Sequence, residues 1–359
     1  MKVLVTGTEG YIGSVLTPWL LSEKHEIVAV DTGFFRDGWL YHHAEELPQT
    51  RLIDIRHLTP KDLEGFDAVV HMAELANDPL GELAPEITYD INHIGSLKLA
   101  QMAKAAGVKR FVYTSSCSAY GIAENGMVSE TSAVNPQTAY AHCKVKVEKD
   151  LAAMADDDFS PTFLRNATVY GASPRLRFDL VVNNLCGVAF TKKAIVMTSD
   201  GTPWRPLVHV DDVCRAICQV LTAKREVVHN QILNVGNSDS NYQVREIAEI
   251  VAKVFPGCAL QFGQNNSDNR SYRVSFDKIT SILPDFQCQW SVERGARQLK
   301  ELFDLVDLKP EDFHSRRYTR LLQLQHLIGT NQIDSRFFWT KKQLLEPKGE
   351  RDGFKLSVS

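Results

Sequence analysis

Aliphatic and β-branched runs recur through the first half of the chain, separated by stretches whose apolar residues return at helical spacing. Val3–Thr6, Glu26–Asp31, Arg51–Ile55, Ala68–Ala73 and Arg110–Ser116 read as strands. Between the last two, Ile91, Leu97, Leu99 and Met102 share one face of a helix over Tyr89–Ala106, and a further helix spans Tyr140–Met154. Strands alternating with helices imply an α/β fold with a parallel sheet. Pro161–Thr168 reads as another buried strand, after which turn residues multiply, most clearly in Ser199-Asp200-Gly201-Thr202-Pro203-Trp204. Helices are expected over Asp211–Ala223 and Val244–Phe255, with a short strand at Ile232–Val235. The division expected is a first domain over 1–170, to which 211–236 return, a smaller mixed α/β lobe mainly over 171–306, and a tail over 307–359. That tail carries Arg316-Arg317-Tyr318, a leucine-rich stretch from Leu321 to Leu327, and Phe337-Phe338-Trp339. It reads as an amphipathic helix packed on the body or on another subunit, with a substrate-covering or partner-recruiting role as the alternative.

Composition narrows the class of partner. The 359 residues are 44% hydrophobic and 23% charged, with a formal charge of −4 and no long basic run, which argues against nucleic acid or a membrane surface and for a small molecule. The first strand begins almost at once, which predicts no secretory leader and a cytoplasmic protein, and no apolar stretch reaches membrane-spanning length. Seven cysteines with no CxxC pair and no zinc-type spacing predict no metal site, and the odd count suits a reducing compartment.

The chemistry begins at the end of the first strand. Thr6-Gly7-Thr8-Glu9-Gly10-Tyr11-Ile12-Gly13 is a TGxxGxxG turn leading into a helix, where glycines let the backbone approach a pyrophosphate at the helix N-terminus. Asp31 ends the second strand, the position from which a carboxylate accepts both ribose hydroxyls of an adenosine. A phosphate at that ribose would meet a like charge, so NAD is favoured over NADP, although Arg36 weakens the preference. Together these predict a doubly wound Rossmann domain. Tyr140 and Lys144 are four apart on a helix and project from one face, so the ammonium, with the positive nicotinamide ring, favours the phenolate as a base. Tyr113-Thr114-Ser115-Ser116-Cys117-Ser118-Ala119-Tyr120-Gly121 ends a strand in hydroxyls just ahead of that helix.

With these motifs the chain resembles the extended short-chain dehydrogenases, in particular the NAD-dependent sugar-nucleotide epimerase/dehydratase family, over roughly residues 1 to 300. The resemblance implies Ser116, Tyr140 and Lys144 as catalytic residues, with Ser115 the neighbour most easily mistaken for Ser116. It implies cofactor contacts from Gly7, Gly10, Tyr11, Ile12, Gly13 and Asp31, with Asp54 and Ile55 bordering the adenine. Met72 and Ala73 would line the cofactor and Asn92 and Lys144 would help to hold it. His71 is read as structural, and Glu74 stands where a small residue is usual. Dehydratases of the family carry an Asp-Glu pair where this chain has Cys117 and Ser118, so elimination falls in rank, and Cys117 and Ser118 are read as lining the substrate. Arg205 suits a diphosphate, Asn183 is a candidate nucleotide contact, and Thr168 replaces a common asparagine. Another family arginine aligns near Asn265, leaving Arg270 or Arg273 to supply its charge. His209, Asp211 and Asp212 are read as structure rather than a metal site. The expectation is an NAD-dependent nucleotide-sugar epimerase acting at C4, homodimeric through Tyr89–Ala106 and Tyr140–Met154. The alternatives are a dehydrogenase or 4-ketoreductase on a similar sugar, then a dehydratase or a catalytically silent NAD-binding regulator.

Overall fold

In the computed structural model, residues 1–43, 47–122, 126–264 and 271–341 are described. Strands β1 (Lys2–Thr6), β2 (Glu26–Asp31), β3 (Arg51–Leu52), β4 (Ala68–His71) and β5 (Arg110–Ser116) pair with Ser160–Asn166 and Gln231–Val235 in one seven-stranded sheet. Its order is 231–235, 160–166, β5, β4, β1, β2, β3, and every neighbouring pair is parallel. Helices cover both faces, which is why β4 and Ser160–Asn166 are buried at every position, polar residues of the latter included, rather than alternating buried and exposed. The chain leaves β1 for β2 on one side and later returns to β4 on the other. That reversal opens a crevice at the carboxyl ends of β1 and β4.

Several elements differ from the sequence reading, each for a local reason. The strand expected over Arg51–Ile55 stops at Leu52, because Asp54 caps a tight turn over Ile55–His57 by accepting from the Arg56 amide at 2.8 Å. The strand expected to Ala73 ends at His71, since the Met72 and Ala73 amides turn inward to Thr6 Oγ1 at 3.2 and 3.3 Å. The helix expected over Tyr89–Ala106 is π-helical over Tyr89–Gly95 before the α-helix Ser96–Ala105. Within the wide turns, Asn92 accepts from the Leu75 amide at 2.8 Å and donates to the Leu75 carbonyl at 3.1 Å. The widening places an amide side chain against the backbone after β4.

Beyond Asn166 the chain changes sheets. Thr168–Tyr170 pairs with Trp204–His209, which pairs in turn with Asn241–Gln243. Helix Val210–Thr222 and strand Gln231–Val235 then return to the large sheet. The tail packs on the body: Leu324, Leu327, Ile333 and Phe337 are buried against Phe34, Leu75, Leu80 and Ile91. Each such burial contributes about 1.5–3 kcal/mol at most, enough together to hold the segment in place. Among the described residues no helix is long and apolar enough to cross a membrane.

Candidate active site

The turn after β1 is shaped by close approach. A Cβ on Gly7, whose φ is +82°, would stand 2.9 Å from the Ala73 amide nitrogen, and one on Gly13 would stand 2.1 Å from the Gly7 carbonyl oxygen. Only glycine lets the turn lie this tightly against the end of β4 and start the helix Gly13–Ser22. Asp31 completes the frame: its carboxylate accepts from the Glu9 amide at 3.0 Å and the Gly33 amide at 2.8 Å. Burial, reinforced by the nearby Glu9 charge, nevertheless pushes its carboxyl up to about 6.

Helix Ala139–Ala153, capped by Thr138, turns Tyr140 and Lys144 toward the hydroxyls at the end of β5. Tyr140 stands near enough to Ser116 for that hydroxyl to lower its pKa, and Lys144 Nζ lies 5.4 Å from the Tyr140 ring centre. Ser115 points elsewhere, donating to Glu148 at 2.5 Å. The sequence reading missed what Glu74 does here. Its Oε2 lies 2.5 Å from Lys144 Nζ and its Oε1 accepts from the Tyr113 hydroxyl at 2.6 Å, in a place with almost no solvent access. Lys144 also donates to the Thr114 carbonyl at 2.5 Å. Burial works against the Lys144 charge, but Glu74 and Tyr140 outweigh it and hold its pKa above the ordinary lysine value. At Tyr140 burial raises the pKa, Lys144 lowers it, and Glu74 and Asp78 raise it again, for a net rise in the protein alone. His71 is a spacer, sharing hydrogen bonds with Thr6 and Ser96 at 2.7 Å each, and burial pushes its imidazole down to about 3, so it stays neutral.

These groups face one cavity of about 870 Å³ running from the glycine turn to Arg205. Gly7, Gly10, Tyr11, Ile12, Gly13, Asp31, Asp54, Ile55, Met72 and Ala73 line it, as do Ser116, Ser118, Tyr140, Lys144, Thr168 and Arg205. Asp54, however, spends its carboxylate on the Arg56 guanidinium at 2.8 and 2.9 Å. Four expected contacts lie off the cavity wall. Asn92 is fully buried and holds Leu75, so its influence passes through the backbone of a wall residue. Cys117 turns inward and donates to the Arg165 carbonyl at 3.2 Å. Asn183 accepts from the Gly171 amide and donates to the Arg177 carbonyl and the Tyr11 hydroxyl, joining the two lobes behind the site. Arg273 stacks over Trp204, its guanidinium 5.3 Å from the ring centre. Arg270 lies outside the described residues. His209 stacks on Trp290 at 4.0 Å and shares a hydrogen bond with Gln298, while Asp212 accepts from the Gln289 amide. Among the described residues no cluster of three or more His, Cys, Asp or Glu has metal-binding geometry.

Wall residues that motif reading did not find include Phe34, Phe35, Arg177, Asp179, Tyr272 and, from the tail, Arg320. None belongs to a spacing pattern; each reaches the cavity only through tertiary packing.

Residues 3–236 match the model of the NAD dependent epimerase/dehydratase family. The chain belongs to that family. A UDP-glucose 4-epimerase of Lactobacillus helveticus is 31% identical over 278 residues, covering 71% of this chain and 82% of the relative. One from Corynebacterium glutamicum is 28% identical over 274 residues, covering 71% and 80%. Among solved structures, MoeE5 in complex with UDP-glucose and NAD superposes with a TM-score of 0.73 at 27% identity, covering 86% of this chain and all of the other. This family member is therefore an NAD-dependent enzyme, and its residues fit the cofactor. Gly7 and Gly13 leave a cradle that a Cβ would fill, the helix Gly13–Ser22 offers its N-terminal amides, and Asp31 stands at the strand end beside them.

Proposed function

We propose that the protein is an NAD-dependent nucleotide-sugar epimerase acting at C4. The observation that carries this reading is the company Tyr140 keeps. Ser116 and Lys144 stand beside it on the cavity wall, whereas each of the five carboxylates lining the cavity among the described residues is engaged by the protein itself. Asp31 is held by amides, Asp54 by Arg56, Glu74 by Lys144 and Tyr113, Asp78 by Thr138, and Asp179 by Arg177 and Asn77. Positions 117 and 118 carry a thiol and a hydroxyl instead of an acid pair. That arrangement favours oxidation and reduction at a carbinol over elimination of water.

NAD supplies the acceptor, and later the donor, of the hydride. Tyr140 takes the proton of the C4 hydroxyl and returns it, Ser116 holds that oxygen, and Lys144 keeps a positive charge beside the phenol. The keto-sugar stays in the cavity, turns, and is reduced on its other face. Arg205, which lines the cavity and donates from Nη1 to the Trp204 carbonyl at 2.9 Å, is the candidate for the substrate diphosphate, assisted by Thr168 and Ser118. The relatives that are UDP-glucose 4-epimerases, and the neighbour holding UDP-glucose with NAD, support a uridine diphosphate sugar. We also infer a cytoplasmic homodimer that buries the surface of Tyr89–Gly95, Ser96–Ala105 and Ala139–Ala153, where Ile94 is exposed; the seven free thiols suit that compartment.

Incubation with a panel of nucleotide sugars, with no cofactor added, tests the reading. Interconversion of a C4 pair is expected, and stoichiometric accumulation of NADH would replace epimerisation with net dehydrogenation. Tyr140→Phe should lose about 10²–10⁴-fold in kcat while still binding NAD. Full activity in that variant would remove Tyr140 as the base.

A further inference from the structure

The tail reaches the cofactor cleft from beyond the residues that the family model matches, 3–236. It is anchored to the two turns that follow Asp31 and Asp54. Gln323 Nε2 donates to the Phe34 carbonyl at 3.0 Å, Trp339 Nε1 to the Thr32 carbonyl at 2.7 Å, and Arg56 Nη1 to the Arg336 carbonyl at 3.0 Å. Phe338 stacks on His57, ring centres 4.5 Å apart, beneath the Arg56 guanidinium at 3.9 Å. These contacts deliver Arg320, at the start of helix Arg320–Gly329, to the cavity wall. Its side chain lies over Phe35, 4.4 Å from the ring centre, in a residue only 3% exposed. Nη2 donates to the Arg175 carbonyl at 3.2 Å, and Arg175 Nε donates to the Glu9 carbonyl of the glycine turn at 3.1 Å. Nη1 has no hydrogen-bond partner among the described residues.

Three guanidinium groups lie near one another here, with Glu9 and Asp31 as the carboxylates that act most on Arg175. Arg175, Arg177 and Arg320 are all buried, and the first two are close enough to act on the charge of the third. Asp179 is taken by Arg177 at 2.8 Å, and Asp31 loses its charge below about pH 6. Burial first, then the two neighbouring arginines, push the Arg320 pKa well below the ordinary arginine value. A buried donor left unmatched is unfavourable, so the site suits a ligand that brings an anion within reach of Nη1. Arg320 lines the same cavity as Gly10, Tyr11 and Ile12 and is tied through Arg175 to the Glu9 carbonyl of the glycine turn, the turn that a dinucleotide running from Asp31 toward Tyr140 would meet with its pyrophosphate.

We propose that Arg320, carried in by the C-terminal segment, donates from Nη1 to the pyrophosphate of NAD, adding a charged contact to those of the glycine turn. The tail is thereby part of the cofactor site. This rests on the family's NAD dependence and not on which sugar reaction follows. The test uses the full chain stripped of nucleotide and titrated calorimetrically with NAD, ADP-ribose, adenosine and UDP. In Arg320→Met, affinity for NAD and ADP-ribose should fall about tenfold or more, with adenosine and UDP unchanged, and Arg320→Lys should recover part of the loss. The nucleotide-free Arg320→Met protein should melt no lower than the parent, because an unmatched buried charge has gone, while the rise in Tm on adding NAD shrinks. Unchanged NAD affinity would overturn the proposal. So would an equal loss for adenosine, which signals packing, or a loss confined to UDP, which assigns Arg320 to the substrate. Should the methionine variant fail to fold, Arg320→Lys carries the same comparison: adenosine and UDP unchanged with NAD weakened supports the contact, and any other pattern refutes it.

Discussion

Tyr140 sits between opposing fields: Lys144 on its own helix favours the phenolate, while burial, Glu74 and Asp78 favour the phenol. Removing the Glu74 charge leaves Lys144 and Tyr140 as each other's nearest electrostatic partners. Glu74→Gln should therefore move the acidic limb of the kcat/KM profile to lower pH, and a limb that stays in place would show that Glu74 serves packing alone. Asp31 has a different pH signature. Its folded pKa of about 6 exceeds the ordinary 3.8, so its stability contribution is complete below 3.8 and is lost as pH rises through 6. Cofactor binding runs the other way, because the charged carboxylate is the stronger acceptor for ribose hydroxyls. NAD affinity should weaken as pH falls from about 7 to about 5, and Asp31→Asn should bind more weakly at neutral pH and flatten that dependence. Titration calorimetry at several pH values checks both.

At the scale of elements, the π-helical turns of Tyr89–Gly95 matter because they present Asn92 to Leu75. Asn92→Ala leaves a buried amide and a buried carbonyl of the cavity wall unmatched, with an expected loss of about 2–4 kcal/mol in chemical denaturation. Because Leu75 follows Glu74, NAD affinity should fall as well. A variant with parental stability would show that water replaces the side chain. The helical period of this stretch was readable from Ile91, Leu97, Leu99 and Met102, yet apolar spacing does not distinguish π from α turns over so short a run. The early end of β3 has a similar origin: a single cap at Asp54 outweighed a β-prone pentapeptide.

For the whole molecule, the decisive feature is the change of direction at β1, which brings loops distant in sequence to one crevice. The proposed epimerisation would keep the same cofactor through both halves of its cycle, and the tail packs on the loops after Asp31 and Asp54. Protein purified without added nucleotide should release NAD on denaturation, as read by mass spectrometry. Light scattering should give twice the chain mass for the proposed dimer; a monomeric mass with undiminished activity would remove that surface from the functional account.

Short-range chemistry was enough to assign the parallel α/β fold, and it singled out the glycine turn, Asp31, Ser116, Tyr140 and Lys144, which the fold brings to one cavity. Each depends on a fixed spacing or a single backbone conformation: Gly7 at positive φ, Gly13 against Gly7, and two side chains one helical turn apart. The same reasoning misplaced Cys117, Asn183 and Arg273, because which face of a turn or helix meets the cavity depends on the partners waiting there: the Arg165 carbonyl, the Tyr11 hydroxyl and the Trp204 ring. Only the tertiary structure disclosed Glu74 beside Lys144 and Arg320 linked through Arg175 to the glycine turn. Their chain separations, 70 residues in the first case and over 300 in the second, carry no periodic signal. Burial is what turns those meetings into chemistry, since a charge taken out of water must be answered by whatever the fold places next to it.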